Sequence, residues 1–184
     1  MISGRGRHAA TLRTERLLRT PRPEVTVHER VLRVSEALRE LGSDAEVVEL
    51  PDPAPTAATA AAQVGCPVGA IANSLVFSVG GDPLLVLTSG AHRVDTRRLA
   101  GLLGVARKRI RRADPAFVLT ATGQEVGGVA PVGHPRPVRT LIDATLAEHE
   151  HLWAGAGMPH TVFRTTFPEL VRITGGEPAE VAEA

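Results

Sequence analysis

The segment of the sequence with the clearest chemical potential is rich in glycine and proline and spans residues 127–134, GGVAPVGH. Glycine lets a ligand approach the main chain closely, and proline fixes the direction of the chain. A rigid loop with free N–H groups can bind a developing oxyanion at little reorganisation cost, as acyl-transfer chemistry requires. The same composition is also typical of a plain turn between strands, which the pattern alone favours.

Two histidines are candidates for a polar role. Ser89 and Gly90 lie just before His92, so this side chain is either a structural histidine or part of a pocket. Asp95 is expected only to cap the helix that follows it. His134 is kept extended by the proline after it, and we expect it at the rim of a pocket.

The common catalytic and metal-binding motifs are absent from the sequence. His149 and His151 have no evident third ligand, so no metal site is predicted. Cys66 has no adjacent base, which favours an inert thiol over a nucleophile. There is no G-x-S-x-G elbow, Walker loop or dinucleotide fingerprint, and no cofactor is predicted.

Composition is typical of one globular domain with a sizeable core. The chain has 184 residues, of which 43% are hydrophobic and 22% charged. No apolar run approaches the roughly 20 residues needed to cross a bilayer, so no membrane association is predicted. A single cysteine and the lack of a secretory signal favour the cytoplasm.

Basic residues concentrate in two parts of a chain whose formal net charge is only +1. Any contact with nucleic acid must therefore come from local clusters. Residues 1–24 are rich in arginine with little apolar periodicity and are predicted to be a flexible tail. The second cluster includes Arg107, Lys108 and Arg109, which are candidates for phosphate contacts, although a solvated face has the same pattern.

Apolar spacing and capping residues predict five helices and two hairpins. The predicted elements are helix 28–41, strand 45–50, helix 57–64, strands 74–79 and 84–88, helices from Asp95 and Asp114, strand 138–142, strands 151–154 and 161–164, and a helix from Thr166. The order shows no regular βαβ alternation. We therefore predict an α+β fold, in which a mixed, barrel-like sheet is surrounded by short helices.

Four ordered motifs resemble the YbaK/ProX family of aminoacyl-tRNA editing domains. They are V-G-x-I-x-x-S-L-V-F at 68–77, L-V-L-T-S-G-A-H-R-V-D at 85–95, GGVAPVGH at 127–134 and W-A-x-x-G-x-P-H-x-V-F at 153–163. The resemblance extends over about residues 28–176. It implies one editing domain at 25–178, followed by a short acidic end at 179–184.

The resemblance also implies an activity: metal-free hydrolysis of a mischarged aminoacyl-tRNA, typically tRNA for proline. A pocket would receive the 3′ aminoacyl adenosine, and a ribose hydroxyl would help to activate water. A prolyl-tRNA synthetase is a possible partner. By this resemblance the acyl site is formed by Gly127, Gly128 and Pro131, with Val129, Ala130, Gly133 and His134 beside them. Asn73 and Ser74 would contact the terminal nucleotide, and Ser89, Gly90 and His92 would complete the substrate site.

One position departs from the family pattern. Members of the family usually carry lysine immediately before the S-L-V-F strand, where this chain has Asn73. Asparagine can donate a hydrogen bond but brings no charge to a phosphate. Without this charge, binding of the phosphate would be weaker, or another group, such as His92 or Arg93, would have to make the contact. The alternatives are a non-catalytic module that binds aminoacyl-tRNA or a synthetase, and an unrelated small-molecule hydrolase.

Overall fold

The computed structural model describes residues 27–183, and the predicted tail at 1–24 lies outside them. The helices are α1 (Val27–Glu40), α2 (Ala57–Val64), α3 (Thr96–Leu103), α4 (Pro115–Thr122) and α5 (Phe167–Thr174). The strands are β1 (Val47–Glu49), β2 (Ile71–Val79), β3 (Asp82–Ser89), β4 (Ile110–Arg112), β5 (Arg139–Asp143), β6 (Leu152–Gly155), β7 (Thr161–Thr165) and β8 (Glu177–Ala179). No helix in this part of the chain is both long and apolar enough to cross a membrane.

Side-chain caps set the starts of four helices, as predicted. The side chain of Thr56 accepts a hydrogen bond from the main chain of the first turn of α2, and Asp95 does the same for α3. Asp114 and Thr166 cap α4 and α5. Each of these helices ends at a glycine in the left-handed conformation, which an L-residue adopts only with strain.

All eight strands form one mixed sheet in the order β1-β7-β6-β2-β3-β5-β8, with β4 paired to β2 outside this path. The two predicted hairpins, β2–β3 and β6–β7, are antiparallel. The contacts of β2 with β6, of β3 with β5 and of β5 with β8 are parallel. The predicted α+β class with a mixed sheet and short peripheral helices is confirmed.

Alternating side chains of β3 supply both faces of the sheet. Leu85 and Leu87 pack in the larger core, which also contains residues of α1 and α5 such as Val34 and Leu170. Leu84 and Val86 point to the other face and pack with Leu99 of α3. All of these side chains are buried. The central strand is therefore apolar on both sides, as expected for a strand with helices over both faces.

The C-terminal segment packs against the start of α3. The main-chain N–H of Asp95 donates to the carbonyl of Val181, at an N···O distance of 2.8 Å. Val181 is fully buried, and Ala182 forms a β-bridge with Val94. The domain limit at residue 178 stays a prediction, but the chain beyond it continues on the domain surface up to Glu183.

Candidate functional site

One edge of β2 is only partly paired. On the other edge, β3 pairs with residues 72–79. On the partly paired edge, β6 pairs with residues 71–72 and β4 with residues 77–79. The N–H of Ala113, just after β4, donates to the carbonyl of Val76 at an N···O distance of 3.1 Å. Residues 73–75 therefore have no strand partner on this edge, and the sheet has a gap there.

The main-chain groups of Ser74 point into this gap. Successive residues of a strand direct their N–H and C=O groups to alternate edges. The carbonyl of Ile71 accepts from Gly90 on the β3 side, whereas the carbonyl of Val76 is bonded on the opposite side. Ser74 is two residues from Val76, so its N–H and C=O lie on the open edge. Its buried hydroxyl oxygen also has no hydrogen-bond partner within the described residues.

The gap opens into a cavity of about 270 Å³. Its walls are the middle of β2, the start of α2, the loop at 126–129 and the β6–β7 hairpin. Four residues of the predicted site line it: Asn73, Ser74, Gly127 and Val129. Thr56, Arg112, Trp153 and Met158 are among the lining residues that were not predicted as site residues. The structure thus brings the predicted loop and the predicted strand to one cavity.

A buried glutamine that was not predicted holds the loop in place. The side-chain oxygen of Gln124 accepts from the N–H of Ala130 at 2.6 Å, and its side-chain nitrogen donates to the carbonyl of Val132 at 3.2 Å. Gln124 is 2% exposed. Ala130, expected to contact substrate, is fully buried, and its N–H is already used in this contact. The only signal for this role was a polar residue between the end of a helix and a glycine-rich loop.

Two glycines let the loop lie directly on the β6–β7 hairpin. A Cβ atom on Gly128 would lie 2.8 Å from the Cα of Met158, and one on Gly155 would lie 2.9 Å from the carbonyl oxygen of Val129. Real Cβ atoms do not approach main-chain atoms so closely, so only glycine fits at either position. Gly128 therefore seats the loop on the hairpin, and it is its neighbours Gly127 and Val129 that line the cavity.

Two residues of the loop that line the cavity have main-chain N–H groups without an acceptor in the described part of the chain. The N–H of Gly128 donates to the carbonyl of Glu125, and that of Ala130 to Gln124. Within the described residues, the N–H groups of Gly127 and Val129 have no acceptor. A pair of fixed, unpaired N–H groups beside a cavity can bind an oxyanion without having to reorganise.

The rest of the predicted loop lies behind the cavity and supports it. The Nε2–H of His134 donates to the carbonyl of Ala130 at 2.8 Å. Burial lowers the pKa of His134, although this hydrogen bond opposes the shift, so the neutral imidazole is favoured. Pro131 is buried, and Gly133 lies against Val34 of α1. Neither Pro131, Gly133 nor His134 lines the cavity.

Ser89, Gly90 and His92 also lie outside the lining of the cavity. The Nδ1 of His92 is hydrogen-bonded to the carboxylate of Asp143 at 2.9 Å. The hydroxyl of Ser89 donates to the carbonyl of Gly69, and a Cβ on Gly90 would meet the carbonyl oxygen of Val68 at 2.5 Å. These contacts favour a structural role for His92 over a role in the pocket.

Asp143 is the buried centre of this second polar cluster and was not predicted. It is 1% exposed and accepts from the Ser89 N–H at 3.1 Å and from the Thr145 hydroxyl at 2.7 Å. Burial acts to raise the pKa of Asp143, but the hydrogen bonds from Thr145, His92 and Ser89 outweigh it and lower the pKa. The carboxylate therefore stays ionised and joins the ends of β3 and β5.

The remaining candidates for chemistry lie apart from the cavity. Burial raises the pKa of the Cys66 thiol, which favours the inert form over a nucleophilic thiolate. Within residues 27–183, no three or more His, Cys, Asp or Glu side chains are grouped so that they could hold a metal ion. Arg107, Lys108 and Arg109 form an exposed 3₁₀ turn that leads directly into β4.

The protein is thus a domain with a mixed sheet and a cavity at the gap in its central strand, and a glycine-rich loop lines this cavity. Its family follows from comparison with known proteins. The model of the aminoacyl-tRNA editing domain family matches residues 51–173, and the chain belongs to this family. The resemblance to YbaK-type editing domains is thereby confirmed.

Individual relatives agree with this assignment. A solved structure described as a proposed trans-editing enzyme for prolyl tRNA synthetase is 38% identical, with a TM-score of 0.79 over 84% of this chain and 98% of its own. The hypothetical protein APE2540 is 28% identical, with a TM-score of 0.75 over 82% of this chain and 99% of its own. The uncharacterized protein YwhH of Bacillus subtilis (strain 168) is 28% identical over 68% of this chain and 78% of its own length.

Proposed function

We propose that this protein hydrolyses the ester bond of a mischarged aminoacyl-tRNA that reaches it as a free substrate. The proposed substrate is tRNA for proline that carries a small wrong amino acid. Membership in the editing-domain family supports the reaction class. The similarity to a proposed trans-editing enzyme for prolyl tRNA synthetase supports the choice of tRNA and makes that synthetase a candidate partner in the cytoplasm.

The observation that carries the proposal is the pair of unused N–H groups at Gly127 and Val129, two residues that line the cavity in the gap of β2. In an ester hydrolysis the carbonyl oxygen becomes negatively charged as water attacks the carbonyl carbon. Fixed N–H donors stabilise that charge more in the transition state than in the ground state, which is the requirement for catalysis.

The proposed reaction needs no acid–base side chain from the protein. Water adds to the ester carbonyl carbon and gives up a proton with help from the neighbouring hydroxyl of the terminal ribose. The bond between the acyl carbon and the ribose oxygen then breaks, and that oxygen takes up a proton. The products are the free amino acid and uncharged tRNA. The protein contributes orientation and charge stabilisation, which can supply much of the rate when the ester is held in register.

Ser74 and Asn73 are the proposed contacts to the terminal nucleotide. Ser74 offers a buried hydroxyl without a partner, and its N–H and C=O face the open edge of β2. An unpaired buried hydroxyl costs about 1–3 kcal/mol, so a ligand that accepts or donates a hydrogen bond there recovers this energy. Asn73 is exposed at the same edge and can supply a neutral hydrogen bond.

The direct test is a panel of tRNAs for proline charged with alanine, cysteine, serine or proline, together with the same amino acids on their own tRNAs. Release of the amino acid is measured against buffer, with and without a chelator. We expect at least one small wrong amino acid to be released faster than the matched proline ester, with no effect of the chelator. Release no faster than in buffer across the panel would exclude the hydrolase.

Asn73 favours a second candidate, a module that binds aminoacyl-tRNA or a synthetase without catalysis, because the cation usual in this family is missing. The Asn73→Lys variant separates the two candidates. Hydrolysis that appears only in this variant supports the binding module, whereas hydrolysis by the unchanged protein supports the enzyme. Asn73→Gln is the matched control, because it lengthens the side chain without adding charge.

A further inference from the structure

Arg112 brings a positive charge to the cavity, although it was not predicted as a site residue. It lies at the end of β4, directly opposite Phe77 of β2. Its guanidinium group stacks over the Phe77 ring at 5.3 Å from the ring centre. An arginine that stacks on a ring is held in place while its N–H groups stay available to an anion. Arg112 lines the same cavity as Asn73 and Ser74.

The charge of Arg112 has no acidic partner in the described part of the chain. Four arginines there do have one: Arg30 with Glu125, Arg98 with Glu180, Arg139 with Glu177 and Arg172 with Glu169. Other arginines, such as Arg111, resemble Arg112 in having none, so what distinguishes Arg112 is its place in the lining of the cavity. Partial burial of Arg112 lowers its pKa, and no carboxylate opposes this shift. Arg112 remains exposed, so its guanidinium group is accessible to an anionic ligand.

Arg112 lies at the end of the open edge opposite to Asn73. Residues 73, 75 and 77 share one face of β2, and Arg112 is paired with the last of them. The two ends of the edge are four residues apart, or roughly 13 Å along the strand. A cation and an amide thus flank the edge that carries the main-chain groups of Ser74.

The other cations considered as replacements for the missing lysine lie elsewhere. Neither His92, whose ring is hydrogen-bonded to Asp143, nor Arg93 lines the cavity. By contrast, the exposed basic turn at 107–109 leads into β4, and Arg112 is the last residue of this strand. Arg112 is the one basic residue of this stretch, 107–112, that lines the cavity.

We propose that Arg112 is the phosphate-binding residue of this pocket and supplies the positive charge that Asn73 lacks. The inference rests on the proposed function, because the phosphate is that of the terminal nucleotide. Arg112 touches the nucleotide and not the ester, so it governs binding and orientation. Its loss should raise KM for a tRNA substrate much more than it lowers kcat.

The test compares the binding of AMP and adenosine, which differ only in the 5′-phosphate. Trp153 is the single tryptophan of the chain and lines the cavity, so its fluorescence reports binding directly. We expect the unchanged protein to bind AMP about tenfold or more tightly than adenosine, the factor that corresponds to one charge-assisted hydrogen bond. Arg112→Gln should abolish this preference, and Arg112→Lys should keep part of it.

Arg111→Gln is the matched control. Arg111 is the neighbouring exposed arginine of β4, paired with Ser78, and its side chain points to the opposite face of the strand. It should keep the preference for AMP. The proposal is overturned if the unchanged protein shows no preference, if Arg112→Gln retains it while folded, or if Arg111→Gln loses it equally. A preference that depends on Arg112 in a protein without deacylase activity would reject the proposed reaction but keep this site.

Discussion

The Ser74 hydroxyl lowers the stability of the fold but is proposed to bind the substrate, and both effects can be measured. Its hydroxyl is buried without a hydrogen-bond partner, which costs folding free energy that a bound ligand could recover. Such costs are typical of functional sites, where local rules of folding are broken for the sake of binding. The proposed role of Ser74 therefore predicts opposite effects of its removal on folding and on activity.

The Ser74→Ala variant removes the unpaired hydroxyl and leaves the main chain unchanged. We expect the free energy of unfolding to stay the same or rise by up to about 1 kcal/mol, while kcat/KM for deacylation falls about tenfold. Chemical denaturation and single-turnover deacylation measure the two effects. Ser78→Ala in the same strand is the control and should leave activity unchanged. A variant that loses stability but keeps its activity would contradict the role of Ser74.

The loop at 127–130 depends on close contact with a neighbouring hairpin, which local sequence does not reveal. The glycines and the proline indicated a special main-chain conformation, and the family resemblance indicated which residues to consider. The separate role of each loop residue could not be predicted. Gly128 contacts Met158, Ala130 binds Gln124, and the free N–H groups belong to Gly127 and Val129. These contacts join segments that only the folded sheet brings together.

Gly128→Ala tests the seating of the loop. The new Cβ would lie 2.8–3.0 Å from main-chain atoms of Met158, so the loop or the hairpin must shift. We expect a loss of about 1–3 kcal/mol in the free energy of unfolding and a larger loss of kcat than of substrate affinity. Gly101→Ala is the control, because a Cβ there meets nothing within 4 Å and should stabilise α3 by about 0.5–1 kcal/mol. Normal kcat in a folded Gly128→Ala protein would count against the donor role of the loop.

Most of the elements could be predicted, and the reasons for the exceptions are physical. The helices carry their own caps, and the long strands carry runs of apolar residues. Strands β4 and β8 have only three residues each and exist because they pair with β2 and β5. Arg112 was missed because its place depends on that pairing. The role of His92 could not be predicted, because its partner Asp143 lies on a strand distant in sequence.

Two buried groups predict how the whole fold responds to acid. The pKa of His134 is lowered in the folded state, so the unfolded chain binds more protons below its ordinary pKa of about 6.5. Stability should therefore fall as the pH drops below that value. The pKa of Asp143 is also lowered, so a second loss should follow as the pH falls below about 4. Denaturation between pH 8 and 3 measures both steps.

His134→Gln and Asp143→Asn assign the two steps. His134→Gln should remove the loss that begins below about pH 6.5, because glutamine keeps a donor for Ala130 but does not titrate. Asp143→Asn should be less stable at neutral pH and should lack the loss below about pH 4. If His134→Gln retained the full slope of the unchanged protein, the buried neutral histidine would not be its source.

In the proposed complex, the N–H groups of Gly127 and Val129 bind the acyl carbonyl of an aminoacyl adenosine. The most direct measurement is a ¹H–¹⁵N NMR titration with a 3′-aminoacylamino adenosine, whose amide linkage resists hydrolysis. We predict that the N–H resonances of Gly127, Val129 and Ser74 shift on binding, while that of Ala130 changes little. Shifts confined to the cluster around His92 and Asp143, with the loop unaffected, would contradict binding of the acyl carbonyl by Gly127 and Val129.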